Sequence, residues 1–126
     1  MPKFIVKLHD YYMEFSTIVD APTTFGMKRA EFEDYYRKQY GESGMRELPA
    51  RMERVDANGT SALNKECVAD MMRFNHAGPN ERRLSIKQIY ESHCLMQPIK
   101  IRGKRWQLDE NGRWRALGAV AETGEV

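Results

Sequence analysis

This chain is poor in the residues that carry chemistry. Its 126 residues include three histidines, His9, His76 and His93, and two cysteines, Cys67 and Cys94. The histidines fall in three different contexts, and no H-E-x-x-H, G-x-S-x-G or C-x-x-C occurs. With no nucleophile beside a base, the expectation is a protein that is not an enzyme. Zinc needs clustered ligands, and the adjacent pair His93-Cys94 is not a cluster. P-loop and dinucleotide fingerprints are also missing, so no cofactor is expected.

No apolar run approaches the roughly 20 residues of a membrane span, which removes the membrane as a partner. Met1-Pro2-Lys3-Phe4 lacks the apolar core of a signal peptide. Both cysteines fall on apolar stripes of predicted helices, which reads as buried free thiols in a reducing cytoplasm. The net charge of +2 is too small to imply nucleic acid by itself.

What is present is an ordinary soluble composition, 41% hydrophobic and 30% charged. A chain of this length buries roughly two-thirds of its unfolded surface and folds without disulfides. Eight methionines supply flexible filler for a core, their commoner use, or for a partner-facing groove.

Phe4, Val6 and Leu8 alternate along Lys3 to Leu8. After a turn at His9-Asp10, alternation resumes from Tyr11 to Val19, the pattern of a β-hairpin. Pro22 cannot donate to a ladder, so pairing stops near Asp20. Phe32, Tyr36 and Tyr40 then predict an amphipathic helix from Lys28 to Tyr40, ended by Gly41 and Gly44. Met45, Leu48, Met52 and Val55 restart the stripe, with Pro49 suited to a first turn, until Asn58-Gly59.

A third helix is predicted over Asn64 to Asn75, stopped by Gly78-Pro79. A fourth starts at Ser85, with Gln88 as capping-box partner and Pro98 at its end. Ile99 to Leu117 returns to strand around the turn Asp109-Glu110-Asn111-Gly112. The fold class is therefore α+β, a single domain over 1–117: N-terminal β-hairpin, four short helices, C-terminal β-hairpin. The terminal strands share one sheet, with the helices on one face. Residues 118–126 are expected to be a flexible tail.

Two polar junctions stand out. Asp20 to Met27 holds Ala21, Pro22, Thr23 and Thr24 just before a helix start. Unpaired N–H groups there attract anions, the threonines add hydroxyls, and Lys28 and Arg29 add charge. Ordinary N-capping explains the same residues. Phe74 to Glu81 sets Phe74, Asn75 and Ala77 at a helix exit, where an aromatic and an amide would suit a nucleobase. Helix-stop chemistry explains these equally. Arg51 and Arg54 share a helix face and could grip phosphate, or simply be solvated. The most basic stretch is the C-terminal hairpin, where Trp106 and Trp114 either stack on nucleic acid or anchor the core.

Three strings, Glu14 to Met27, Gly59-Thr60-Ser61 and Asn75-His76-Ala77-Gly78, resemble small accessory proteins encoded by bacteriophages. Among those they look most like the Thoeris anti-defence sponges, which sequester cyclic ADP-ribose-type and cyclic oligonucleotide signals. The resemblance implies a non-enzymatic antagonist of bacterial immunity in the host bacterial cytoplasm, with a cyclic nucleotide-type signalling molecule as partner. It implies that Ala21, Pro22 and Thr23 touch phosphate or base, although an arginine would be expected where this chain has Pro22. It also implies that Arg54, Asn75 and Ala77 help hold the ligand. A homo-oligomer is expected, because one small domain has little depth. Two other readings stand beside this one: a protein inhibitor of a host defence complex, of the anti-CRISPR type, and a nucleic-acid-binding accessory protein.

Overall fold

The computed structural model of the protein describes residues 3–117. The tail expected over 118–126 lies outside the described residues. Strands β1 (Lys3–Leu8) and β2 (Tyr11–Ser16) form the expected hairpin, in register from Lys3↔Ser16 to Leu8↔Tyr11. The chain reverses through His9, at φ +54°. The second strand ends at Ser16, short of Val19, and pairing does not stop near Asp20 as expected: a short third strand, β3 (Ala21–Pro22), pairs with Phe15 and Ser16 at the sheet edge.

Helix α1 runs from Arg29 to Asn58 and combines two of the expected helices. Only Gly41 breaks it, at φ +68° and ψ −163°. Gly44, expected to end the first helix, is instead buried, with Tyr36 and Tyr40 against it. Pro49 lies well inside the second half rather than in its first turn. Gly59 ends α1 at φ +92°, with its N–H on the Val55 carbonyl (2.7 Å). A Cβ at Gly59 would also meet the Val68 side chain at 2.9 Å, so both conformation and space require glycine here.

The helix expected over Asn64 to Asn75 shrinks to one turn, α2 (Val68–Met71). Lys65 sits at φ +62°, and the Asn64 side chain accepts from the Glu66 N–H (3.0 Å), a local turn that competes with helix. Cys67 consequently sits at the N-cap and is exposed, not buried as expected; Cys94 is buried. Ser85 and Gln88 make the predicted capping box at the start of α3 (Ile86–Ile89). The helix continues as a π-turn over Tyr90–Cys94. Three α-helices, not four, are thus present among the described residues.

Strands β4 (Ile99–Ile101), β5 (Lys104–Leu108) and β6 (Trp114–Ala116) form a second antiparallel sheet. The terminal strands do not share a sheet, contrary to expectation, because other segments cover the first sheet's edges. Thr60 bridges Val6, Lys7 N–H bonds the Gly59 carbonyl, and Ser61 N–H bonds the Ile5 carbonyl. On the far side Met27 bridges Tyr12.

The first sheet is also buried on both faces rather than one. Ile5 and Tyr12 pack with Phe32, Tyr36, Leu48, Met52 and Val55 of α1. Val6, Leu8, Met13 and Phe15 pack on the opposite side with Met72, Leu84, Ile89 and Ile99. Met13, Met52, Met71 and Met72 are all buried, so half of the methionines serve as core filler. The α+β class and the single domain stand. No helix among the described residues is long and apolar enough to cross a membrane.

Candidate functional site

The second half of α1 carries Arg51 and Arg54 three positions apart, and the 59–62 segment runs beside them. Together with the start of β1 they wall a cleft of about 870 Å³. Arg51 donates from Nη1 to the Tyr36 hydroxyl (2.5 Å) and from Nη2 to the Lys3 carbonyl (3.0 Å) and Ser61 Oγ (3.2 Å). Arg54 donates from Nε to the Ser61 carbonyl (2.9 Å). Its two terminal nitrogens make no hydrogen bond within the described residues.

Neither guanidinium has a carboxylate within 4.0 Å among the described residues, although Glu47 and Glu66 also line the cleft. Arg29, Arg37 and Arg115 are all paired to acids. Two half-buried arginines positioned by neutral oxygens keep their full charge for an incoming anion. Phe4 and Leu63, the latter 82% exposed, supply apolar surface in the same cleft.

Arg29 does not serve the first junction. It donates to the Tyr12 hydroxyl (2.9 Å) and to Asp56 (2.8 Å), and the carboxylate neutralises it. The junction's own N–H groups are largely used. Thr23 N–H bonds the Glu14 carbonyl, Gly26 N–H the His93 carbonyl and Met27 N–H the Tyr12 carbonyl. Thr24 Oγ1 accepts from the Glu14 N–H (3.1 Å) and donates to the Phe25 carbonyl (3.0 Å). Ala21 and Pro22 are consumed as β3.

At the second junction the Asn75 amide is fully occupied inside the chain. Its nitrogen donates to the Met72 and Leu84 carbonyls (2.8 Å each), and its oxygen accepts from the Ala77 and Leu84 N–H groups. Ala77 is buried and its carbonyl accepts from Trp114 Nε1 (2.9 Å). Phe74 stands 69% exposed. The two junctions do meet, through the His76 N–H on the Asp20 carbonyl (2.7 Å). They meet as backbone, and the cleft lined by the first junction includes no residue of the second.

Pro22, Thr23 and Thr24 instead line a second cleft of about 670 Å³, between the first junction, α1 and the β5–β6 turn. Tyr35 and His93 also line it. Behind Tyr35 lies Glu14, wholly buried on the β2 face that packs on α1. Its carboxylate accepts from the hydroxyls of Tyr35 (2.5 Å) and Tyr40 (2.7 Å). Burial and these bonds raise the pKa of both phenols, so both keep their protons.

Ser61, Tyr35, Glu14 and His93 were not singled out by sequence reasoning as site residues. Glu14 had one available signal, a lone carboxylate in an otherwise apolar and aromatic alternation. The tryptophans of the C-terminal hairpin pack partly buried against the core, and Lys104 covers the Trp106 ring at 5.0 Å. Their rings are not free platforms for bases.

His93 is 6% exposed, and burial pushes its imidazole down to about 4. It is therefore neutral in the native state at pH 7. An unfolded histidine charges below about 6.5, so the unfolded state binds the extra proton first as pH falls. The His93 contribution is fully present above pH 6.5 and is lost on acidification toward 4, amounting to about 3 kcal/mol. We expect His93→Gln to flatten the fall in stability over that window, as read by urea denaturation at successive pH values. An unchanged slope in the variant would refute this.

No protein-family model matches the chain, and neither a curated protein nor a solved structure shows significant similarity to it.

Proposed function

We propose that this protein is a non-enzymatic binder that sequesters a nucleotide-type anion, consistent with a phage-type antagonist of bacterial immunity. The observation that carries this reading is the pair Arg51 and Arg54, both half-buried in the cleft of about 870 Å³ and neither paired to a carboxylate among the described residues. A phosphate would take the free terminal nitrogens of Arg54, while Phe4 and Leu63 offer apolar surface to a base. Retention without turnover suits the state of Cys94, whose thiol burial pushes up to about 12, well away from a reactive thiolate. A second copy of the chain closing the open side belongs to the same reading.

The test is retention. Purified protein is mixed with cyclic nucleotides and cyclic ADP-ribose-type molecules, desalted, then heated, and the released material is weighed by mass spectrometry. Stoichiometric release of intact nucleotide is the expected result; failure to retain any at micromolar protein would sink the reading.

One observation favours a second reading, an inhibitor that binds a host defence protein. Ile18, Val19 and Phe74 are 76%, 54% and 69% exposed, and all lie within two residues of the Asp20–His76 bond. An apolar patch of this kind suits a protein interface. A stoichiometric protein partner in a host pull-down, with no retained nucleotide, would select it.

A further inference from the structure

The second cleft has the opposite electrostatic character to the first. Its charged lining residues are Glu31 and Glu110, and no lysine or arginine lines it. Neither glutamate is in an ion pair among the described residues. Nearby cations are engaged elsewhere: Lys28 lies over the Tyr11 ring at 4.9 Å, Arg29 holds Asp56 and Arg115 holds Asp109. Arg113, beside the lining residue Gly112, is exposed and does not line the cleft.

A second, independent observation is the state of His93, which lines the same cleft while 94% of its surface is covered (6% exposed). Ser92 has one hydroxyl proton, and it goes to the Gln88 carbonyl at 2.7 Å. The contact of 2.9 Å between Ser92 Oγ and His93 Nδ1 therefore has Nδ1–H as donor. The same N–H also faces the Ile89 carbonyl, so Nδ1 is shared between two acceptors and Nε2 is left as an acceptor with no hydrogen bond among the described residues. A buried acceptor of this kind normally has a partner. Tyr35 adds to the pattern, because its proton is committed to Glu14 and its oxygen can only accept. The groups that remain on offer are acceptors and negative charges, alongside the aromatic surfaces of Phe25 and Tyr35.

A metal ion does not fit, because no group of three His, Cys, Asp or Glu side chains among the described residues is arranged to hold one. Glu31 belongs to α1 and Glu110 to the β5–β6 turn, so the two carboxylates stand on different walls of the cleft. We propose that this cleft binds a linear organic polyamine cation, whose separate ammonium groups reach Glu31 and Glu110 while an N–H donor reaches His93 Nε2. Aromatic walls and dispersed acceptors are the chemistry that recognises an alkylammonium.

Spermidine is the probe, titrated calorimetrically into the full chain at low ionic strength, with singly charged n-butylamine alongside. Expected are one saturable spermidine site, a much weaker response to butylamine, and a loss of about tenfold or more in Glu31→Gln/Glu110→Gln. Both glutamates are exposed, so this variant keeps the fold. Imidazole ¹⁵N spectra provide the second readout: the Nε2 signal of His93 should move on addition, with those of His9 and His76 unmoved. Equal affinity in the double variant, butylamine binding as tightly as spermidine, or a silent His93 would each overturn the proposal. Glu47 and Glu53 are exposed and lie outside this cleft, so Glu47→Gln/Glu53→Gln removes the same charge elsewhere and should leave spermidine affinity unchanged; a parallel loss would show general attraction and overturn the proposal.

Discussion

Glu14→Ala should lower the unfolding free energy by about 3–5 kcal/mol. Glu14 is wholly buried between β2 and α1, and no cation among the described residues pairs with it. Two tyrosine hydroxyls are its partners, one on each carboxylate oxygen. Removing the carboxylate strands both hydroxyls and leaves a void where the side chain was. It also frees Tyr35 and Tyr40, the two residues through which the first half of α1 grips the sheet at this point. Glu14→Gln retains one acceptor and most of the volume, and should cost about 1–2 kcal/mol. Urea denaturation followed by tryptophan fluorescence would measure both. A Glu14→Ala loss no larger than that of Glu14→Gln would show that the two hydroxyls find water instead.

The second large effect is on retention. Arg54→Glu should weaken binding of a retained nucleotide by roughly 100-fold or more, because it removes a forked donor and places a negative charge in its stead. Arg54→Lys keeps the charge without the fork and should lose about tenfold. Arg54 is the cleaner position to test, since its single internal bond is Nε to the Ser61 carbonyl. Arg51, tied to Tyr36, Lys3 and Ser61, also holds α1 to the sheet, so its loss mixes stability with binding. Unchanged thermal unfolding with lost retention is the expected signature in Arg54→Glu. Retention at the original level would remove the arginine pair from the site.

These expectations show where local reading succeeds. The capping box of Ser85 and Gln88 spans one turn and appears as written. The turn at Asn111-Gly112 also forms, with Gly112 at φ +78° and the Asp109 carboxylate accepting from the N–H groups of Asn111 and Arg113. The helix over Asn64 to Asn75 failed because side-chain-to-backbone bonds at Asn64 and a left-handed Lys65 outcompeted the apolar stripe. Over 28–58 the expected break falls at Gly41, which leaves helical geometry at φ +68° and ψ −163°, so the two predicted stretches survive as the halves of α1.

The candidate sites divide in the same way. Arg51 and Arg54 were legible as a pair on one helix face, since that needs only helical spacing. Their lack of a carboxylate was not legible, because it depends on which long-range segment lies beside them. Asn75 read as a base-edge reader from its neighbours, yet its amide is consumed partly by Leu84, nine residues on.

The sequence by itself determined the α+β order, the N-terminal hairpin, the Ser85–Gln88 cap, the turn at Asn111-Gly112, and the scarcity of catalytic chemistry. Each of these depends on residues a few positions apart, where backbone geometry decides. Only the tertiary structure decided that the first sheet is buried on both faces, so that Glu14 is wholly enclosed and meets Tyr35 and Tyr40. It likewise decided that the two hairpins form separate sheets, and that one cleft is lined by arginines and the other by acids and acceptors. Those outcomes rest on contacts such as Arg51 to Lys3, 48 residues apart, whose formation depends on the packing of the whole chain.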